Sequence, residues 1–379
     1  MTRSTTGGGR AVRPAPPLRT WRPAALAAVL AAAPLAGAQV PPDGGLPPPP
    51  RLDSAETAAT TAAATASQNA GSAARTVSLD PSSRTSVSNA YYGVFLPQSL
   101  VAVGWTGTIT PCAAGSTAAA YLAATIERVN FYRALAGLPG TVALMDATAV
   151  QGAQEAALMF AANGQISHSP PDGWLCHTAA GAGAAGASNI ALGLAGPDAM
   201  VAYMDDYGSG NGMVGHRRWI LYPPQAQMAS GSIDGSASWP ANALRVMGGF
   251  GTRPATPGGV AWPPAGYVPW QLLPSLSNRW SFSWPGANFA QATVTMTRDG
   301  QALGSVGYEP LANDIGYADN TLVWLPQGVN YGQPARDTVY RVTINGASGN
   351  GIPASLSYQV VVFHPDGPPE TLFGNGFDG

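Results

Sequence analysis

Apolar residues recur at helical spacing in the middle of the chain. In the first such stretch, apolar residues follow at steps of four and three, which predicts a helix from about Ser116 to Gly137. Its buried stripe consists of Leu122, Ile126, Val129 and Tyr132. A second helix is predicted to begin at Asp146, a good N-cap residue, and to stop at Asn163-Gly164.

A third helix is predicted with Pro197 in its first turn and Gly208 as its stop. One face of this helix carries Met200, Tyr203, Met204 and Tyr207. The apolar run Trp219–Tyr222 predicts a buried strand, with Gln227–Ser230 as its neighbour. Three helices with a few strands between them predict an α+β layered domain over residues 112–250.

The last third of the chain alternates between apolar and polar positions, which is the period of a strand with one buried face. Asp299-Gly300 lies between two such runs and predicts a hairpin. Several short strands at this spacing predict an all-β sandwich over residues 265–366. The Gly- and Trp-rich segment before it either separates two independent domains or completes the first sheet, with Val246–Phe250 as a candidate strand.

Residues 1–38 predict a secretory signal peptide. Several arginines precede the apolar run Ala24–Ala36, and Ala36-Gly37-Ala38 is a small-x-small cleavage site. This run is too short to span a bilayer, and no later segment is long and apolar enough, so we expect a secreted chain cleaved near Ala38. The rest of the N-terminal region predicts a disordered linker (39–85) and a strand-containing lead-in (86–111), and residues 367–379 predict an exposed tail.

Charged residues make up only 10% of the chain, and the formal net charge is −2. Sparse, balanced charge argues against nucleic acid as the main partner. We expect a monomer whose ligand is a small molecule, a lipid or a peptide.

The chain has two cysteines, Cys112 and Cys176. In an exported protein two cysteines favour a single intramolecular disulfide. Closing a loop of this length stabilises the fold by about 4 kcal/mol in the chain-entropy account. The bond would hold the loop after the second helix against the start of the α+β domain.

Two of the four histidines, His168 and His216, lie where predicted elements end or begin. Two imidazoles from separate elements are what a shared metal ion or a general acid/base cleft requires. Each also has a plainer interpretation as a hydrogen-bond partner of the backbone. Likewise, Asp206 can form a structural ion pair with Arg217 or Arg218.

Several short motifs occur in a fixed order along the chain: Ala153-Gln154, His168-Ser169, Ser188-Asn189-Ile190-Ala191, Tyr203 to Asp206, and Gly215-His216. In this order they resemble the CAP superfamily of cysteine-rich secretory, antigen 5 and pathogenesis-related 1 proteins, and the Gly-His-Arg-Arg-Trp form is similar to its bacterial branch. The resemblance covers about residues 115–231. It implies an α-β-α sandwich with a central cleft, in which two histidines and two acidic residues lie and the histidines can bind zinc.

The chain departs from this pattern at the first acidic position, where it reads Ala187-Ser188-Asn189 instead of Gly-Glu-Asn. Asp206, with Asp205 beside it, stands at the second acidic position and is one methylene shorter than the usual Glu. On this resemblance the cleft residues are Ser188, Asn189, Tyr203, Asp205 and Asp206, and His168 and His216 are the metal ligands. Two imidazoles and one carboxylate predict weak zinc binding.

These residues favour a secreted, non-enzymatic binding module. A metal-dependent extracellular hydrolase, protease-like and using His168, His216 and Asp206, is the first alternative. A surface adhesion or structural protein, in which the β-sandwich carries the interaction, is the second. The missing glutamate at Ser188 favours binding over catalysis.

Overall fold

A computed structural model describes residues 74–235, 239–311 and 318–365. The predicted signal peptide and tail, and most of the predicted linker, lie outside these residues. Within the described ranges, no helix is both long and apolar enough to cross a membrane.

The first helix, α1, spans Arg84–Ala90 and continues through a π-helical turn, Tyr91–Phe95, into Leu96–Gln98. Ser83 caps it, since its side chain accepts a hydrogen bond from the Ser86 amide. The prediction of strands in this lead-in is therefore wrong. The aromatic and β-branched residues suggested a strand, but the buried ones recur four apart and form a helical stripe: Val87, Tyr91 and Phe95.

Five more α-helices follow within the described residues: α2 (Ala119–Leu135), α3 (Ala147–Asn163), α4 (Ala179–Gly186), α5 (Gly196–Asp205) and α6 (Gly215–Ile220). The three predicted helices correspond to α2, α3 and α5. For α3 both predicted end signals are confirmed: the Asp146 carboxylate accepts from the Ala149 amide at 2.8 Å, and Gly164 is left-handed at φ 59°. Helix α4 consists of alanine and glycine alone, so it carries no apolar pattern to predict it.

The predicted strand Trp219–Tyr222 is wrong, because Trp219 and Ile220 end helix α6. A short apolar run does not distinguish a buried strand from a buried helix. A contact from α2 favours the helix. The Arg133 guanidinium donates to the carbonyl oxygens of Ile220 and Tyr222 at 2.9 and 2.8 Å. These bonds satisfy carbonyls that the helix end leaves unpaired.

A four-stranded sheet forms the middle layer of the α+β region, with strands β1 (Ala143–Leu144), β2 (Ser188–Leu192), β3 (Gln227–Ile233) and β4 (Ala241–Arg245). The strand order is β1-β3-β4-β2. The predicted strand at Gln227 is confirmed in β3, with β1 and β4 as its neighbours. Strand β4 comes from the Gly- and Trp-rich segment, which was expected either to separate two domains or to complete the first sheet. It pairs with both β2 and β3 and so belongs to that sheet.

Helices cover both faces of this sheet. One face packs against α3 and α4 through a cluster that is mostly alanine. The other packs against α2 and α5 through a cluster rich in aromatic residues. The result is an α-β-α sandwich within an α+β fold.

The remaining strands form two further sheets, with orders β10-β11-β7-β5 and β6-β13-β12-β8-β9. They are β5 (Val260–Trp262), β6 (Gly266–Pro269), β7 (Trp280–Ser283), β8 (Thr293–Arg298), β9 (Gln301–Ala302), β10 (Gly307–Tyr308), β11 (Thr321–Leu325), β12 (Thr338–Asn345) and β13 (Ser355–Phe363). The ring centroids of Trp280 in one sheet and Tyr340 in the other lie 5.9 Å apart, and those of Phe282 and Tyr358 lie 6.3 Å apart. The two sheets thus face one another as the predicted β-sandwich, and the Asp299-Gly300 hairpin joins β8 to β9.

The α-β-α layers and the β-sandwich share one hydrophobic cluster. Tyr132 of α2 meets Trp262 of β5 edge-on, with ring centroids 5.5 Å apart. The predicted domain boundaries, 112–250 and 265–366, stay predictions.

Candidate functional site

The disulfide prediction is confirmed: Cys112 and Cys176 are bonded, with their Cα atoms 5.3 Å apart. Cys112 lies before α2, and Cys176 lies in the loop between α3 and α4 that also carries His168. The bond therefore restrains that loop against the segment leading into α2.

His216 lies in α6, paired with Asp206 and stacked on Tyr203. Its Nδ1–H donates to Asp206 Oδ1 at 2.7 Å, and neither side chain is exposed to solvent. The imidazole and the Tyr203 ring are stacked, with centroids 5.4 Å apart and planes 12° apart. Because a carboxylate only accepts, the bond assigns a proton to Nδ1, and in the neutral imidazole Nε2 is then the acceptor. Among the described residues, His216 Nε2 is buried without a hydrogen-bond partner.

Asp206 ends α5 in the left-handed conformation, at φ 58° and ψ 46°. Its Oδ2 accepts from the Arg217 backbone amide at 3.1 Å, so both carboxylate oxygens accept a hydrogen bond. The Asp206 side chain thus bonds the Arg217 backbone, and the Arg217 guanidinium donates to Met204 O and Asp205 O instead. Burial lowers the pKa of Arg217 to about 10, against the opposite effect of the two neighbouring aspartates.

The loop between α5 and α6 is bounded by two left-handed residues other than glycine, Asp206 and Val214. Val214, at φ 45°, is β-branched and fully buried, which makes this conformation costly, at about 1 to 3 kcal/mol. The surrounding structure must hold the loop in this shape, and strain of this kind is common at functional sites.

Tyr203 and Asn189 complete the surroundings of His216. The Tyr203 hydroxyl donates to Asn242 Oδ1 at 3.0 Å, and burial raises the pKa of Tyr203 well above its ordinary value. Asn189 Nδ2 donates to the His216 carbonyl at 3.1 Å, while Asn189 Oδ1 is buried without a partner in the described part of the chain.

His168 is half-buried in the loop after α3. Its Nδ1–H donates to the carbonyl oxygen of Ala185, at the end of α4, at 2.9 Å. Both histidines therefore contact one short segment, since His168 bonds Ala185 and His216 bonds Asn189 four residues later. Four residues span at most about 14 Å. Whether the two imidazoles face each other stays a prediction.

Ser188 and Asp205, two further predicted cleft residues, bond to other parts of the chain. The Ser188 hydroxyl donates to Ala184 O at 2.7 Å, so it satisfies the end of α4. The Asp205 carboxylate accepts from the amides of Leu276 and Ser277, at 3.0 and 2.8 Å. Burial raises the pKa of Asp205, and these hydrogen bonds only partly oppose that effect.

The two histidines are oriented as metal ligands commonly are, but the described residues supply too few ligands to complete a metal site. Each histidine has its Nδ1 on an oxygen acceptor, which is how metal-binding imidazoles are commonly oriented through the second nitrogen. Across the described ranges, however, no group of three or more His, Cys, Asp or Glu side chains could hold a metal ion. A metal here would need water or a ligand to complete its coordination.

Sequence reasoning missed two residues that contact the site, Asn242 and Arg279. Asn242 of β4 accepts from Tyr203, and Arg279 Nη1 donates to the Asp206 carbonyl at 2.8 Å. Both follow the motifs around His216 along the chain, and no local pattern marks either of them. Only the pairing of β4 with β2 and β3, and the packing of the β-sandwich on α5, bring them to the site.

Comparison with known families matched residues 126–239 to CAP, the cysteine-rich secretory protein family. No curated protein and no solved structure matched the chain. The matched segment runs from α2 through β3 and includes both His168 and His216. Together with the α-β-α layers, this match places a CAP domain of the cysteine-rich secretory protein family within the chain.

Proposed function

We propose that the protein is an exported, monomeric binding module, without enzymatic activity, whose ligand site is built around His216. Export is supported by the Cys112–Cys176 bond and by the signal-like sequence of residues 1–38. The ligand is a small molecule, a lipid or a peptide that holds, or is held by, a divalent metal ion.

The observation that carries the proposal is the state of His216. Asp206 fixes its tautomer and leaves Nε2 as a buried acceptor without a partner in the described structure. An unsatisfied buried nitrogen is costly, and a metal ion or a hydrogen-bond donor would relieve that cost. Because His216 is fully buried, a ligand reaches it only through local opening, which lowers the affinity.

We further propose that His168 and His216 bind a divalent metal weakly through their Nε2 atoms. Bound there, the metal would supply a positively charged anchor for an oxygen or nitrogen of the ligand. The supporting features are the matching anchorage of both Nδ1 atoms and the short segment that both histidines contact. With two protein nitrogens as ligands, the affinity is modest.

A hydrolase is the second candidate, because an imidazole oriented by a carboxylate is also the arrangement of a general base. One contact favours binding over hydrolysis. The Ser188 hydroxyl, which stands at the family's glutamate position, donates to Ala184 O at the end of α4 and is therefore not directed at a substrate.

Zinc titration by calorimetry on the purified full chain tests the proposal. The variants His168→Gln and His216→Gln should each weaken zinc binding about tenfold or more. His177→Gln is the matched control, because His177 lies in the same loop as His168 but outside the predicted pair, and it should leave affinity unchanged. Equal affinity in all four proteins would overturn the metal site.

Activity assays on peptide and ester substrates separate the two candidates. The binding module should show no turnover above background in the presence or absence of zinc. Turnover that disappears in His216→Gln, with an unchanged melting temperature, would establish the hydrolase instead.

A further inference from the structure

The conformation of Asp206 is held from outside the CAP domain. Asp206 is left-handed, and its carbonyl oxygen accepts a hydrogen bond from Arg279 Nη1 at 2.8 Å. Arg279 directly precedes β7 of the sandwich and lies beyond the matched residues 126–239. It is only 8% exposed, so the bond is shielded from water.

Glu309 orients Arg279. Glu309 Oε1 accepts from Arg279 Nε at 2.6 Å, and the two side chains are 18% and 9% exposed. A charged hydrogen bond with this little exposure is stronger and more directional than a surface ion pair. The other Glu309 oxygen lies so close to Gly212 that a Cβ there would come within 2.5 Å of it. Glu309 is thus packed against the α5–α6 loop, which carries Asp206 at one end and leads to His216 at the other.

Arg217 provides a second connection between the same two regions. Its backbone amide donates to Asp206 Oδ2, while its Nη1 donates to Arg279 O at 2.9 Å and to Ser281 Oγ at 3.0 Å. The carboxylate of Asp205, the residue before Asp206, accepts from the amides of Leu276 and Ser277. Both aspartates at the end of α5 are therefore fixed by the segment 276–281.

We propose that Arg279 is a positioning residue for the ligand site: it fixes the Asp206 backbone, and through Asp206 it fixes the tautomer and orientation of His216. The β-sandwich is then part of the site rather than a separate module attached to it. This inference rests on the proposed function in taking His216 as the binding group, but not in the identity of the ligand.

The test is nuclear magnetic resonance of the histidine ring nitrogens in the metal-free full chain. In the wild-type protein His216 should show one tautomer, protonated at Nδ1. In Arg279→Met the Asp206 carboxylate loses its fixed direction, so His216 should show a mixture of tautomers. Zinc affinity should also fall about tenfold, as when other groups that orient a metal-binding histidine are removed.

Three variants serve as controls. Arg336→Met removes an ion pair to Asp299 that is 80% exposed on the arginine side, and it should leave the His216 signals unchanged. Arg279→Lys keeps the charge and one donor group, so it should restore part of the wild-type signal. If Arg279→Met does not fold, Glu309→Gln should give the same change to a smaller extent, because Arg279 then loses its charged partner.

Unchanged His216 signals in a folded Arg279→Met protein, or in Glu309→Gln if only that variant folds, would overturn the positioning role. The two proposals fail separately. If the wild-type protein binds no zinc but Arg279→Met still mixes the tautomers, the metal proposal falls and the positioning role stands. If the wild-type protein binds zinc but Arg279→Met leaves the His216 tautomer unchanged, the positioning role falls and the metal proposal stands.

Discussion

The two faces of the CAP sheet are packed with different kinds of residue. The face toward α3 and α4 is mostly alanine, and Gly231 of β3 lies directly against the backbone of Ala153 in α3. The face toward α2 and α5 carries large aromatic side chains and continues into the core of the β-sandwich.

This difference indicates that the β-sandwich contributes to the packing of only one face of the CAP sheet, the aromatic face. On the alanine face α3 lies directly on the sheet, and the described residues of this cluster all precede the β-sandwich. On the aromatic face, the Tyr132 ring is covered by Trp262 of the sandwich, and the Asp206–His216 pair is bonded to Arg279. The Asp206–His216 part of the candidate site thus lies on the side that the C-terminal region covers, whereas His168 bonds α4 on the other side.

Removing the shared aromatic contact should have the largest effect on stability. Trp262→Ala deletes a fully buried indole between the two regions and should lower the free energy of unfolding by about 5 kcal/mol. Urea unfolding followed by circular dichroism measures this. Trp284→Ala is the control, since Trp284 is only partly buried and should cost much less. Equal losses would mean that the aromatic face does not depend on the sandwich.

The disulfide acts on the other side, where it restrains the loop before α4. Replacing Cys112 and Cys176 together by alanine should cost about 4 kcal/mol, the chain-entropy value for a loop of 64 residues. A thiol reductant should lower the melting temperature of the wild-type protein and leave that of the double variant unchanged. Full reduction of the wild type without a change in melting temperature would contradict the prediction.

Close packing on the alanine face predicts sensitivity to a single methyl group. A Cβ at Gly231 would overlap the Ala153 backbone, so Gly231→Ala should cost about 3 kcal/mol. Thermal unfolding measures the loss. A cost below that of an exposed substitution would show that α3 can move away from the sheet.

The substitution with the smallest expected effect should stabilise the protein rather than destabilise it. Gly183 is exposed within α4, and a Cβ there meets no atom within 4 Å. Gly183→Ala should therefore raise the free energy of unfolding by about 0.5 to 1 kcal/mol through helix propensity alone. Thermal unfolding of this variant and of the wild type decides it, and a loss of stability would mean that α4 needs a flexible backbone.

The sequence predicted the elements that have their own end signals. Asp146 and Gly164 mark both ends of α3, and Pro197 marks the start of α5. It did not predict α4, because alanine and glycine lack a periodic pattern. The run at Trp219 was assigned to a strand, since the carbonyl contacts that favour the helix come from Arg133, 87 residues before Ile220.

The candidate site divides in the same way. The family motifs selected His216, Asp206, Tyr203 and Asn189, and the structure brings these four together. Their connection to Arg279 was not predictable, because it depends on how the sandwich packs on α5. The orientation of Ser188 toward Ala184 depends on the presence of α4, which no sequence pattern had indicated.

Arg84, the first residue of α1, contacts the end of β13, the last strand of the described structure. The Arg84 guanidinium donates to His364 O at 3.1 Å across 280 residues and lies 4.7 Å from the Phe363 ring centroid. Contacts between residues so distant in sequence form late and slow the folding reaction. Until β13 has been synthesised, the shared core lacks Val360, Val362 and Phe363, and nascent chains with incompletely covered apolar surface are prone to aggregate.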